Sequence, residues 1–469
     1  MAAANSDRLS HSNELLPVKR NRTLWLLWLL SSTGFAVGLW IALPTENSAS
    51  SASLIYLPGE TTCGHYQIEI KCAVCHEIGG DVREQSCLDC HADELKEARD
   101  THKASKFSDP TKAELLQYID ATSCIACHKE HVPGQTREMG VTLPDDYCWH
   151  CHQTIAEDRP SHASFRYDSC ATAGCHNFHD NRALNENFLF RHVLDPAHWS
   201  TQKVLIRDSK DNGSQKLSAS DHDGPSDTKP HVIREWVSSA HAKAGVNCTG
   251  CHEGSDGTEG VDSSKGWENH VDHRACQRCH ESETVGFLAG RHGMRLFVDL
   301  SPMRPELARC LPMRSDSAHR DLTCNACHHA HDDDLRHAAV DACLECHADK
   351  HSLAFKETSH YELWQQEMSD SEFSGTGVSC ATCHLPRMKI GDSVRVEHNQ
   401  NANLRPNEKM LTSVCLNCHG LEFSLNSLAD RQLVEKCFGE PPDVQVESVE
   451  MTRQWFEARG RKPPSPKQD

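Results

Sequence analysis

Apolar positions along this chain concentrate in one place. Leu24–Leu43 reads LWLLWLLSSTGFAVGLWIAL, twenty residues without a charge. That length suits one bilayer crossing, and Trp25, Trp28 and Trp40 suit interfacial ends. Lys19, Arg20 and Arg22 precede the run, so the expected topology leaves the N-terminus in the cytoplasm and everything after Pro44 outside. A cleaved signal peptide is the rival reading, since Ser48–Ser53 could accept a peptidase, but the apolar run exceeds the usual 7–15 residues. Downstream the apolar residues are sparse. Thr111–Tyr118, Ser359–Met368 and Ser424–Glu435 have helix-compatible composition, and no run shows strand alternation. The expected fold is mainly α with extensive loops, little β and one N-terminal transmembrane helix.

The expected divisions are a cytoplasmic tail at 1–22, an anchor at 23–43, a first Cys-rich region at 44–199, a polar linker at 200–230, a second Cys-rich region at 231–437 and a disordered tail at 438–469. The linker is free of Cys, and the tail carries Pro441-Pro442 and ends in RKPPSPKQD. With 38% hydrophobic and 6% aromatic residues in 469, aliphatic side chains alone make a thin core. The formal charge of −19, with no long Lys/Arg block, argues against a nucleic-acid partner. The chain holds 25 Cys and 33 His. A disulfide scaffold fits poorly, because such scaffolds are small and 25 is odd.

The cysteines have a strict pattern. Cys-x-x-Cys-His occurs at Cys72-Cys75-His76, Cys87-Cys90-His91, Cys124-Cys127-His128 and Cys148-Cys151-His152. It recurs at Cys248-Cys251-His252, Cys276-Cys279-His280, Cys324-Cys327-His328, Cys343-Cys346-His347, Cys380-Cys383-His384 and Cys415-Cys418-His419. An expanded version, Cys170-Ala-Thr-Ala-Gly-Cys175-His176, has four intervening residues. Chance would give roughly 0.1 such pentapeptides at these residue frequencies.

This spacing is that of covalent haem c attachment. Two thiols add across the two vinyl groups of one porphyrin, and the adjacent His becomes the proximal axial ligand. Two spacers let a short helical turn span the vinyl edge; four need a looped turn, which Gly174 permits. Structural zinc also uses Cys-x-x-Cys, but it gathers ligands in fours and leaves the invariant His unexplained. A thioredoxin-like motif would occur once, in a βαβ context. The expected cofactor is therefore haem c, about eleven copies. At about 35 residues per motif the porphyrins must stack or touch edges and replace the missing aliphatic core.

The remaining histidines suffice to give every iron a second imidazole. Candidate distal ligands are His65, His102, His131, His162, His179, His192, His241, His273, His292, His319, His331, His351, His360 and His398. His329 and His150 sit beside or within motifs and could also reach a neighbouring haem. Cys63, Cys310 and Cys437 lie outside the motifs; one disulfide among them leaves at least one thiol unpaired.

These motifs identify the chain as resembling the multihaem c-type cytochromes. In the second region SSAHAKAGVNCTGCH, FSGTGVSCATCHLPR, CHHAHDDD and CLNCH look like the haem core of octahaem hydroxylamine oxidoreductases and pentahaem nitrite reductases. Cys170–His179 and the motifs before it resemble small bis-His carriers of the cytochrome c3 type. Two enzyme hallmarks are missing: no Cys-x-x-Cys-Lys occurs, and the last of six Tyr is Tyr361. The expected role is electron carriage by a single-pass inner-membrane protein with its haem regions in the periplasm, or a secreted periplasmic form if the N-terminal segment is cleaved. Its expected partners are a membrane quinol oxidase or dehydrogenase, or other cytochromes. The alternative is a multihaem reductase or oxidase of a small nitrogen or sulfur compound, with an open iron near Arg291, His292 and Arg295. Those residues could equally be a distal His flanked by propionate-pairing arginines.

Overall fold

The computed structural model describes residues 22–42, 57–77, 81–98, 100–111, 114, 120–170, 176–179, 186–195, 216–253, 267–332, 334–369 and 375–461. Thr111–Tyr118, most of the expected linker, Cys175 and the final RKPPSPKQD fall wholly or largely outside them. The chain divides into two compact units, Met1–Leu57 and Pro58–Asp469. In the first unit, α1 (Arg22–Ala42) covers the apolar run as one helix, with Trp25, Leu26, Leu27, Trp28, Leu29, Leu30 and Phe35 exposed. With the side chains at 24 and 39–42 outside the description, no described helix is long and apolar enough to cross a membrane.

In the second unit the helices longer than two turns are α2 (Glu84–Ala98), α3 (Pro230–Ser238), α4 (Glu281–Ala289), α5 (Ser359–Ser369), α6 (Leu421–Ala429) and α7 (Glu447–Glu457). Between them lie single helical turns joined by loops. The expected helix at Ser359–Met368 is α5. The one expected at Ser424–Glu435 is instead two, because Asp430 ends α6 and its carboxylate accepts from Leu433 N–H to start Arg431–Glu435. One hairpin pairs β1 (Arg387–Ile390) with β2 (Ser393–Val396) through a two-residue turn, in which Gly391 takes φ +61°.

The aliphatic core is local. Leu421, Leu425 and Leu428 of α6 and Val449 and Phe456 of α7 pack with Met410, Leu411 and Leu416, and with Leu189 and Val193 from the first region. The stretch after Gly439, expected to be disordered, thus contributes a buried helix face. The two Cys-rich regions likewise form one compact unit and share this core. The last residues of the expected linker are built in as well: Asn247 Nδ2 donates to Asp221 O at 2.6 Å, and Leu217 N–H to Ala242 O.

A clasp joins the N-terminal end of the second unit to its middle. Cys63 and Cys310 form a disulfide, leaving Cys437 a buried free thiol that burial pushes up to about 12. Arg309 grips both oxygens of Glu69 at 3.0 and 3.1 Å and donates to Thr61 O. Arg295, itself buried, donates to Gln67 O, and Arg291 to Cys63 O at 2.6 Å. These guanidinium groups are spent on backbone carbonyls and one carboxylate.

Candidate haem sites: facing imidazole pairs

Each regular motif is one helical turn. His76 N–H donates to Cys72 O at 2.9 Å, and the same i→i−4 bond recurs from His128 to Cys124, His152 to Cys148, His252 to Cys248, His280 to Cys276, His328 to Cys324, His347 to Cys343 and His419 to Cys415. Residues i and i+3 share a helix face, so each turn presents its two sulfurs together with the imidazole that follows. Caps fix where several turns begin. Ser379 Oγ accepts from Thr382 N–H at the turn Cys380–His384, and Asp272 accepts from Arg274 N–H before Cys276. The turns that carry other histidines are capped likewise, by Ser239 before His241 and by Asp349 before His351.

Each motif histidine faces one further histidine. In the first region His76 faces His131 with ring centres 6.4 Å apart, His91 faces His65 at 6.0 Å, and His128 faces His179 at 6.3 Å. His152 faces His102 at 6.2 Å and His176 faces His162 at 6.3 Å. In the second, His252 faces His331 at 6.1 Å, His280 faces His241 at 6.1 Å, and His328 faces His398 at 6.2 Å. His347 faces His292 at 6.2 Å, His384 faces His351 at 5.9 Å, and His419 faces His360 at 6.0 Å. Stacked rings lie closer, as His329 and His337 do at 4.7 Å. A metal bound by both rings, with metal–nitrogen bonds of about 2.0 Å, sets their centres about 6 Å apart.

Hydrogen bonds select the tautomer. Nδ1–H of His131 donates to Gly59 O at 2.8 Å, that of His128 to Gly140 O, that of His252 to Glu268 O and that of His398 to Val396 O. His102 donates to Phe178 O and His351 to Val434 O. A ring whose Nδ1 carries the proton presents a lone pair at Nε2, the form that ligates iron. Burial favours the neutral ring: it pushes His292, His328 and His384 down to about 4, helped in each case by a facing imidazole. Among the described residues no three His, Cys, Asp or Glu converge as structural zinc requires; the nitrogen donors come in twos.

Of the fourteen expected distal histidines, eleven stand in these pairs. The other three do not. His192 packs on Phe188 and lies 3.6 Å from Asp195. His319 is exposed, with Nδ1 2.7 Å from Glu306 Oε2, while His273 opens the short helix His273–Gln277. The arginines beside His292 belong to the clasp, and His292 itself faces His347.

Neighbouring motifs touch. Cys87 and Cys124, Cys148 and Cys170, Cys276 and Cys324, and Cys343 and Cys380 lie close enough in pairs to perturb one another's ionisation. Cys75 lies within electrostatic reach of Cys87, Cys251 of Cys276, Cys327 of Cys343 and Cys383 of Cys415. Motifs adjacent in sequence are thus adjacent in space within each region.

The family model of cytochrome c3 matches residues 64–153. That match supports a multihaem c-type cytochrome. It spans the first four motifs and three complete facing pairs, His65–His91, His76–His131 and His102–His152. No curated protein matches the chain. The residues fit the covalent haem the family implies: paired thiols on one turn, an imidazole directly after them, and a second imidazole opposite. Bound there, haem supplies one-electron exchange between Fe(III) and Fe(II).

Proposed function

We propose that this chain carries eleven haem c groups, each with two histidine ligands, and passes electrons along them between a membrane quinol-linked donor and an external acceptor. The facing imidazole pairs carry this reading. If every motif histidine has a partner ring, every iron is six-coordinate and none is left open to bind a substrate, which favours electron carriage over catalysis on a small nitrogen or sulfur compound. The chain's part would be to attach the porphyrins by the motif thiols, present Nε2 of the facing rings, hold Nδ1–H of several of them on backbone carbonyls and keep neighbouring motifs close together. Its uncharged run Leu24–Leu43, helical in α1 as far as Ala42, supports a single-pass anchor with the haem unit on the periplasmic side.

The test is haem counting by pyridine haemochrome with EPR of the oxidised protein. Eleven haems and a purely low-spin spectrum, unchanged by cyanide or nitrite, are expected. A high-spin signal that shifts with either ligand would overturn the carrier reading, and fewer than about nine haems would overturn the count. Because the net charge is −19, electron exchange with a basic redox partner should slow steeply as salt rises.

A further inference from the structure

The pairs differ in what their Nδ1–H groups touch. Most with a defined partner donate to a neutral backbone carbonyl. The pair His65–His91 is different on both sides. His65 Nδ1 lies 2.6 Å from Glu130 Oε1, and His91 Nδ1 lies 2.6 Å from Glu94 Oε2. Glu130 is held in place by Thr62, whose N–H and Oγ1 donate to it at 2.6 and 2.8 Å. Glu94 lies one turn beyond His91 on α2. In the pairs His128–His179 and His347–His292 a carboxylate stands near one ring, and farther away: Asp100 at 3.5 Å from His179 and Asp349 at 3.8 Å from His347.

A carboxylate that accepts the Nδ1 proton of a ligating imidazole makes its Nε2 a stronger donor. Stronger donation stabilises Fe(III) over Fe(II), so the iron becomes harder to reduce. Two carboxylates on opposite axial ligands add in the same direction. We propose that Glu94 and Glu130 make the iron held by His65 and His91 the lowest-potential centre of the array. The inference rests on the two-histidine reading of the sites, and it assigns Glu94 and Glu130 as positioning residues that act through the ligands.

The location gives that potential a use. His65 lies two residues from Cys63, bonded to Cys310, and two from Gln67, which donates to Arg291 O at 2.9 Å. Arg291 precedes His292, the partner of His347. The electron-rich site therefore stands where the first run of motifs meets the second, beside a site flanked by guanidinium charge.

The experiment is a spectroelectrochemical titration of the purified full-length protein, in which each step takes one electron from a mediator to reduce one Fe(III) to Fe(II). It is run for the parent, Glu94→Gln, Glu130→Gln, the double variant and Glu97→Gln, a control on the same helix that pairs with Lys409 and touches no ligand. The lowest-potential wave should rise in each single variant, rise further in the double variant and stay put in the control, while one low-spin EPR signal shifts and haem content holds. An unmoved lowest wave, or a rise matched by Glu97→Gln, would overturn the proposal. If Glu130→Gln disturbs the Thr62 contacts, Glu94→Gln alone still decides. A high-spin signal in the parent would instead break the underlying two-histidine reading, so the two failures are distinguishable.

Discussion

At the scale of single residues, what matters is which nitrogen of each histidine carries the proton and which ring stands opposite. His360 is the test case: it is buried enough that its protonation is disfavoured, and it faces His419 alone. His360→Ala should keep the haem content while adding one high-spin EPR component; a spectrum that stays low-spin would break that pairing. The motif histidines can be named from a five-residue pattern. Some of the rings that face them carry a local signal as well: His131, His179 and His331 each lie three residues after a motif histidine, yet face the motif histidine of a different site. His65 and His398 meet their partners only through tertiary contacts, so no local signal separates them from His192, His273 and His319. A second residue-scale prediction concerns Glu69. Burial raises its proton affinity, but hydrogen bonds from Arg309 and Thr61 outweigh that and hold the carboxyl below its ordinary 4.5. A depressed folded value adds stability that is present above the unfolded value and lost as pH falls through the folded one. Unfolding curves should therefore show Glu69→Gln less stable than the parent at neutral pH and the difference vanishing in acid below the ordinary carboxylate range.

At the scale of elements, the recurring unit is a single helical turn rather than a long helix, which is why helical periodicity was weak in most of the chain. The attachment turns could be read from spacing, since an i→i−4 bond is what brings two sulfurs to one face. The helix α7 was missed. Val446, Val449, Thr452 and Phe456 mark one helical face at intervals of three and four, but Pro441-Pro442 upstream and the Pro-rich end downstream mask it in composition. Because Phe456 is buried in the main aliphatic cluster, Phe456→Ala should cost about 3–5 kcal/mol of stability and lower the thermal midpoint, measured by far-ultraviolet circular dichroism. A change within ±0.5 kcal/mol, as at ordinary surface sites, would mean α7 does not pack as described. The hairpin was also unexpected: Gly391-Asp392 is a two-residue turn signal, but its four-residue flanks are too short and exposed to show alternation.

At the scale of the whole molecule, the two Cys-rich regions lie in one compact unit, and what joins them is a handful of contacts between residues more than 200 apart. No periodicity reports Arg309 reaching Glu69, or Leu189 reaching the core of α6 and α7. Composition did report the more general fact that aliphatic packing would be thin: one cluster near the C-terminus and a smaller one around Val340, Leu344 and Phe355 make up the buried clusters among the described residues. Cys310→Ser should leave the haem count intact while raising hydrogen exchange across Thr61–Glu69, read by mass spectrometry. Unchanged exchange there would show that the arginines and Glu130 hold the segment without the disulfide.

The link between Cys63 and Cys310 also bears on how the molecule is made. A polypeptide synthesised from its N-terminus presents Cys63, His65 and the first attachment turns long before residue 310 exists. The segment carrying His65 must therefore wait without that link, held by Glu130 and His131 alone, while the motifs from Cys72 to Cys276 emerge after it. A product that stalls before residue 310 would keep its first attachment motifs but lack the covalent bond that ties the stretch beside them to the later part of the chain.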